Sequence, residues 1–125
     1  MIDFKEKEHY TYADLLQLVQ FLRQPGGCPW DSAQDHHSIR RCFLEETAEA
    51  CEAIDENDAP HLQDELGDVL YQVVFHADLE REAGRFSMDD VIDGICKKLI
   101  VRHPLLFGAS GAARPDETQA LEGWE

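Results

Sequence analysis

Between Phe43 and Val74 the chain carries acidic residues one helical turn apart in two adjacent segments. Glu45, Glu46 and Glu49 form an E-E-x-x-E pattern in the first, and Glu65 with Asp68 forms E-x-x-D in the second. A helix advances about 100° per residue, so acids three apart project from one face, roughly 60° from each other. Each pair can therefore grip one cation. An all-oxygen donor set suits Mg²⁺ or Mn²⁺, whereas di-iron bundle proteins use Glu-x-x-His on two helices, and neither pair here ends in His. Magnesium is the expected ion, with manganese the alternative. Because Mg²⁺ keeps several waters and is completed by substrate phosphates, a nest of four carboxylates points to phosphoanhydride or phosphoester chemistry.

The setting of these acids separates them from a solvated stripe. On a helical wheel of residues 39–54, Glu46 falls at the edge of the apolar arc, between Ile39 and Ala53. On the wheel of residues 62–77, Leu62, Leu66, Val69, Leu70, Val73, Val74 and Ala77 cover more than half the circumference, and Glu65 borders them beside Val69. A helix this apolar is expected to be largely buried. Residues 62–79 contain His76 as their one basic residue, so a divalent cation is the economical partner for a carboxylate near a core. Glu45, Glu49, Glu52 and Glu56 also fit a bland reading as a solvated face.

The elements that must position these acids are helical. Thr11 and Asp14 read as a capping box ahead of Leu15, Leu18, Val19 and Leu22 at helical spacing, and that first helix stops at Pro25-Gly26-Gly27. Trp30, in the turn Cys28-Pro29-Trp30-Asp31, can stack on a base or plug the end of a bundle. A second helix is expected from near Gln34–Ser38 to Glu56, where Asn57-Asp58 breaks it. Asp58 caps a third helix, with Pro60 in its first turn, that runs to about Glu82. Ser87 and Asp90 open a fourth helix whose stripe is Val91, Ile95 and Leu99, ending before Pro104. Lys97, Lys98 and Arg102 cluster in its last turns, where they complement the helix dipole. Lys98 and Arg102 also stand four apart on one face, a spacing suited to holding phosphate oxygens across from the acids. From Gly108 the tail is small and polar, with Trp124 near its end. The fold class expected is all-α, a four-helix bundle completed by oligomerisation, since the third helix has more apolar surface than a monomer of this length covers.

At 125 residues the whole chain, 1–125, is read as one domain. Its 26 Asp plus Glu against 11 Lys plus Arg argue against binding to a nucleic acid polymer or an anionic membrane, and make a polyanionic substrate dependent on metal. Cys28, Cys42, Cys51 and Cys96 show no C-x-x-C spacing and are read as reduced core or loop residues rather than a zinc site. The charged start MIDFKEKEHY is no signal peptide and no long apolar run follows, so a cytoplasmic protein is expected.

Taken together, GGCPWD from Gly26, Gln34 with His36, LEET from Leu44, ELGDVLYQVVFHA from Glu65 and KLIVRHPLLFG from Lys98 resemble the MazG family of nucleoside triphosphate pyrophosphohydrolases, over roughly residues 15–125. The resemblance implies an all-α homodimer or homotetramer that cleaves a nucleoside triphosphate to monophosphate and pyrophosphate with Mg²⁺. It makes Glu46, Glu49, Glu65 and Asp68 the metal ligands. Glu45 then helps to hold a second ion or the attacking water, and Glu45, Glu46 and Glu49 form the catalytic set. Lys98 and Arg102 become phosphate contacts. Trp124 matches the tryptophan of a W-E-x-x-K stretch near the nucleotide, although the chain ends at Glu125 without that lysine. The family's RRHPHVF reads Val101-Arg102-His103-Pro104-Leu105-Leu106-Phe107, so one arginine and one histidine are missing. GGCPWD is typical of the first copy in tandem members, which leaves a single-domain relative and one half of a longer protein both open. The competing class is a non-catalytic helical module that binds nucleotides as a sensor or a protein partner through its acidic face.

Overall fold

The computed structural model describes residues 1–107, and their regular structure is entirely helical. The order is α1 (Tyr12–Arg23), α2 (Pro29–Ala33), α3 (His36–Asp55), α4 (Ala59–Glu82), α5 (Met88–Val101) and α6 (Pro104–Phe107). The four long helices are those expected; α2 and α6 are short additions, the first of them within the stretch read as a fixed turn. The chain divides into two compact units, Met1–Phe86 and Ser87 onward.

In the first unit, local chemistry sets each boundary. Thr11 and Asp14 close a reciprocal box, the Thr11 N–H donating to Asp14 Oδ2 (2.8 Å) and the Asp14 N–H to Thr11 Oγ1 (3.3 Å). The chain then reverses through Gly26, at φ +87°, and Gly27, where a Cβ would stand 2.4 Å from the Phe21 carbonyl oxygen. Asp31 of α2 is buried and accepts a 2.7 Å hydrogen bond from the Tyr71 hydroxyl, which ties this short helix to α4. Asp35 and Ser38 form a second box that opens α3. Asn57, at φ +55°, ends α3; the Asp58 N–H donates to the Ala53 carbonyl (3.1 Å) while Asp58 Oδ1 accepts from the His61 N–H (3.1 Å). Gly84, at φ +72°, closes α4 in the same way.

α3 and α4, joined by this short reversal, pack along their lengths, and α1 packs on α4. The core is Val19, Ile39, Ala50, Ala53, Val74, Phe75 and Ala77. Beneath it lies a buried ion pair, Arg23 Nη1 to Asp78 Oδ2 at 2.7 Å, with the Arg23 guanidinium 5.1 Å from the Phe75 ring centroid.

Three expectations change. Trp30 is 56% exposed and plugs nothing. α4 is only partly buried: Val74 and Ala77 are covered, but Leu66 is 53% exposed and Leu70 is exposed beside it. Cys51 and Cys96 lie exposed on their helices rather than in a core. No helix among the described residues is long and apolar enough to cross a membrane.

In the second unit, the Ser87 N–H donates to Asp90 Oδ2 (2.8 Å) to start α5. Lys98 lies in its last turn, and Arg102 is its C-cap, with the Arg102 N–H donating to the Lys98 carbonyl (3.0 Å).

Candidate metal centre

The reversal at residues 56–58 brings the acidic pairs level. Glu49 lies as many residues before Asp55 as Glu65 lies after Ala59, and Glu46 and Asp68 match in the same way. Equal rise per residue on two packed helices then places Glu49 opposite Glu65 and Glu46 opposite Asp68. Carboxylate oxygens of Glu46, Glu49 and Glu65 accordingly lie within 4.8 Å of one another, as do those of Asp64, Glu65 and Asp68. Glu65 belongs to both groups.

The acids of this cluster crowd one another near the core. Glu65 is 7% exposed, and Oε2 of Glu65 and Oε2 of Glu46 are both buried without a hydrogen-bond partner. Burial pushes the Glu46 carboxyl above the ordinary carboxylate range, and the neighbouring charges of Glu49, Asp68 and Glu65 push it further. Glu65 is raised likewise, by burial first and then by the neighbouring carboxylates of Glu49 and Asp68. Orphaned oxygens and crowded like charges near a core are relieved by a divalent ion, and an all-carboxylate donor set fits Mg²⁺ or Mn²⁺. The residues present therefore fit such an ion.

The other expected site residues are placed as follows. Glu45 is exposed and outside the convergent groups; its Oε1 accepts a 2.8 Å bond from Arg41 Nε. Trp30 projects from α2 into solvent. Lys98 and Arg102 belong to the second unit, one turn apart. Trp124 lies outside the described residues.

Two residues that the sequence reading did not name lie beside these acids. Asp64 stands one turn before Asp68, and its i,i+4 spacing was the signal available. His61 lies one residue before the 62–79 stretch, and its Nε2 is 3.3 Å from Glu65 Oε1. Farther along the same seam His36 joins α3 to α4: its Nδ1 is 2.7 Å from His76 Nδ1 and its Nε2 is 2.9 Å from Glu80 Oε1.

Residues 34–107 match the family described as the MazG nucleotide pyrophosphohydrolase domain. Over 99 residues the chain is 48% identical to the nucleoside triphosphate pyrophosphohydrolase/pyrophosphatase MazG of Thermotoga maritima, covering 79% of this chain and 39% of that protein. It is 45% identical over 112 residues to the nucleoside triphosphate pyrophosphohydrolase of Escherichia coli, covering 89% of this chain and 42% of that protein. The chain thus spans less than half the length of either relative. Among solved structures, a mazG-related protein from Thermotoga maritima superposes with a TM-score of 0.71 at 25% identity, covering 90% of this chain and 94% of that one.

Proposed function

This chain belongs to the MazG nucleotide pyrophosphohydrolase family, and from that premise we propose that it hydrolyses nucleoside triphosphates to monophosphate and pyrophosphate in the presence of Mg²⁺, with Mn²⁺ as an alternative. The observation that carries the reading is the convergence of Glu46, Glu49 and Glu65, with Asp68 joined through Glu65, around carboxylate oxygens that have no partner within the protein. The activity for which these relatives are named supports it.

A divalent ion held there supplies Lewis-acid polarisation of phosphoryl oxygens and a bound water of lowered pKa. Glu46, Glu49, Glu65 and Asp68 hold the ion and, being anionic, turn away any phosphate that arrives without one. Water adds at the α-phosphorus and the α–β anhydride bond breaks, leaving pyrophosphate and one proton. Lys98 and Arg102 contact phosphate oxygens in this proposal, and Trp30 and Trp124 the nucleoside. Glu45 orients the attacking water; leaving Arg41 would free it for that role. The protein works in the cytoplasm as a homodimer or homotetramer, and its net charge of −15 keeps it off nucleic acid polymers and anionic membranes.

The test is pyrophosphate release from a nucleotide panel with Mg²⁺, alongside metal-induced stabilisation. Mg²⁺ raises the melting temperature of the wild type, and Glu49→Gln and Asp68→Asn abolish both that rise and turnover. Lys98→Ala and Arg102→Ala lower kcat/KM roughly tenfold or more while the metal-induced rise remains. Equal stabilisation in the wild type and both acidic variants rejects the centre. Absence of turnover with metal binding intact moves the assignment to a nucleotide-binding sensor.

A further inference from the structure

We propose that His36 and His76 form an acid-operated latch on the α3–α4 seam: their Nδ1 atoms share one proton, and the uptake of further protons parts them. No residue of the metal centre takes part in it.

His36 is the first residue of α3 and His76 lies in the second half of α4, so the contact ties one end of α3 down. The two Nδ1 atoms are 2.7 Å apart, the ring planes lie within 1° of each other and the centroids are 5.0 Å apart. Parallel rings stacked face to face stand about 3.5 Å apart or more. A 2.7 Å contact therefore sets these rings edge to edge, one Nδ1 against the other. Phe43 covers His76, with ring centroids 5.4 Å apart.

Such a contact needs one hydrogen, since two bare nitrogens repel and two N–H groups collide. The outer partner decides which ring supplies it. Glu80 is held as a carboxylate by Arg85 and then by His36, and a carboxylate only accepts. His36 Nε2, 2.9 Å from Glu80 Oε1, therefore carries a proton. Neutral His36 then presents a bare Nδ1, His76 donates its Nδ1–H to it, and His76 Nε2 is left bare. That nitrogen is buried without a hydrogen-bond partner.

A proton added at His76 Nε2 becomes an N–H with nothing to donate to. Burial, and then the neighbouring His36, accordingly hold the His76 pKa below the ordinary histidine value. One proton more sets N–H against N–H in the Nδ1 contact. Both steps are relieved when the rings part and water reaches the nitrogens. The surrounding charges do not prevent this. Glu80 and Arg85 engage the His36 side; Asp35 caps α3, and Arg40, one turn on from His36, is exposed. Arg23 of α1 is taken up by Asp78 and Glu82, and Asp31 of α2 by Tyr71.

The unfolded chain protonates His76 near pH 6.5, so the latch contributes stability that is present above that value and lost as pH falls below it. The test is nuclear magnetic resonance of the ¹⁵N-histidine-labelled chain. At pH 7.5 a ¹⁵N–¹⁵N coupling across the hydrogen bond links the two Nδ1 nuclei, with His76 protonated at Nδ1 and bare at Nε2. Toward pH 5 the coupling disappears as His76 Nε2 gains a proton. Thermal denaturation of His76→Phe, which keeps a ring against Phe43, gives a second readout. The melting-temperature advantage of the wild type over this variant shrinks by roughly half or more from pH 7.5 to pH 5.5, the other titrating groups being common to both. Absence of the coupling at pH 7.5 overturns the proposal, as does its survival in a His76 ring protonated at both nitrogens. So does an advantage that stays constant or grows toward acid. If His76→Phe does not fold, the wild-type spectra decide alone.

Discussion

Glu46 and Glu65 carry raised carboxyl pKa values in the fold, and this sets the sign of a pH effect. Between the ordinary glutamate value of about 4.3 and the raised folded value, the folded chain binds more protons than the unfolded one, so stability falls as pH rises through that window. His61 acts in the same direction. Burial opposes its charge but is outweighed by Glu56, Glu65 and Asp58, so its pKa is raised. The stability it contributes is present below about pH 6.5 and lost as pH rises through its folded value. Asp14 and Glu80, held low by Lys7 and Arg85, have the opposite sign, losing their contribution as pH falls through values below this window. His76, whose pKa is lowered by burial and by His36, has the opposite sign in the histidine range and offsets His61, so the acids decide the balance. In chelator, thermal denaturation therefore finds a stability difference across the acid window, with stability falling as pH rises from about 4.3 through the raised values of Glu46 and Glu65. Mg²⁺ reduces or reverses the difference, and Glu46→Gln flattens the chelator profile. A metal-free protein that gains stability as pH rises through that acid window contradicts this electrostatic account. The acids were legible because one-turn spacing is a local property. His61 was not, because its meaning depends on which atoms of Glu56 and Glu65 the turn brings to its two nitrogens.

Helix boundaries were legible for the same reason: the Thr11–Asp14 and Ser87–Asp90 boxes and the Asn57-Asp58 break are chemistry between residues within one turn. The buried Arg23–Asp78 pair was not, since the partners lie on different helices and each reads in sequence as an ordinary surface charge. Removing Arg23 leaves Asp78 buried with Arg81, which is 2.7 Å away, as its remaining guanidinium partner. Arg23→Ala is accordingly expected to cost about 3 kcal/mol, the lower end for a broken buried pair, measured by urea unfolding. A loss under 1 kcal/mol contradicts the assignment. Gly27→Ala puts a methyl against the Phe21 and Leu22 carbonyls and is expected to cost about 2 kcal/mol, because backbone cannot rotate aside as a side chain does. The tight α1–α2 turn explains why two glycines precede Cys28-Pro29-Trp30-Asp31. The short α2 escaped the sequence reading because five residues carry too little periodicity to register.

At the scale of the molecule, the described chain leaves Leu44 58% exposed on α3 and Leu66 and Leu70 exposed on α4, more large apolar side chain than two packed helices normally leave to water. Sedimentation velocity at micromolar concentration is expected to show a dimer or tetramer, and Leu66→Asp to shift it toward smaller species; a stable wild-type monomer contradicts that expectation. The all-α class was readable from periodicity, whereas the exposed face emerged only once the helices were placed against each other. The central claim is that acids from α3 and α4 direct water to the α-phosphorus of a nucleoside triphosphate. Hydrolysis in H₂¹⁸O with Mg²⁺, followed by mass spectrometry of the products, tests it most directly. The account predicts nucleoside monophosphate carrying one ¹⁸O and unlabelled pyrophosphate, both lost in Glu49→Gln; label in pyrophosphate, or orthophosphate as the first product, contradicts it.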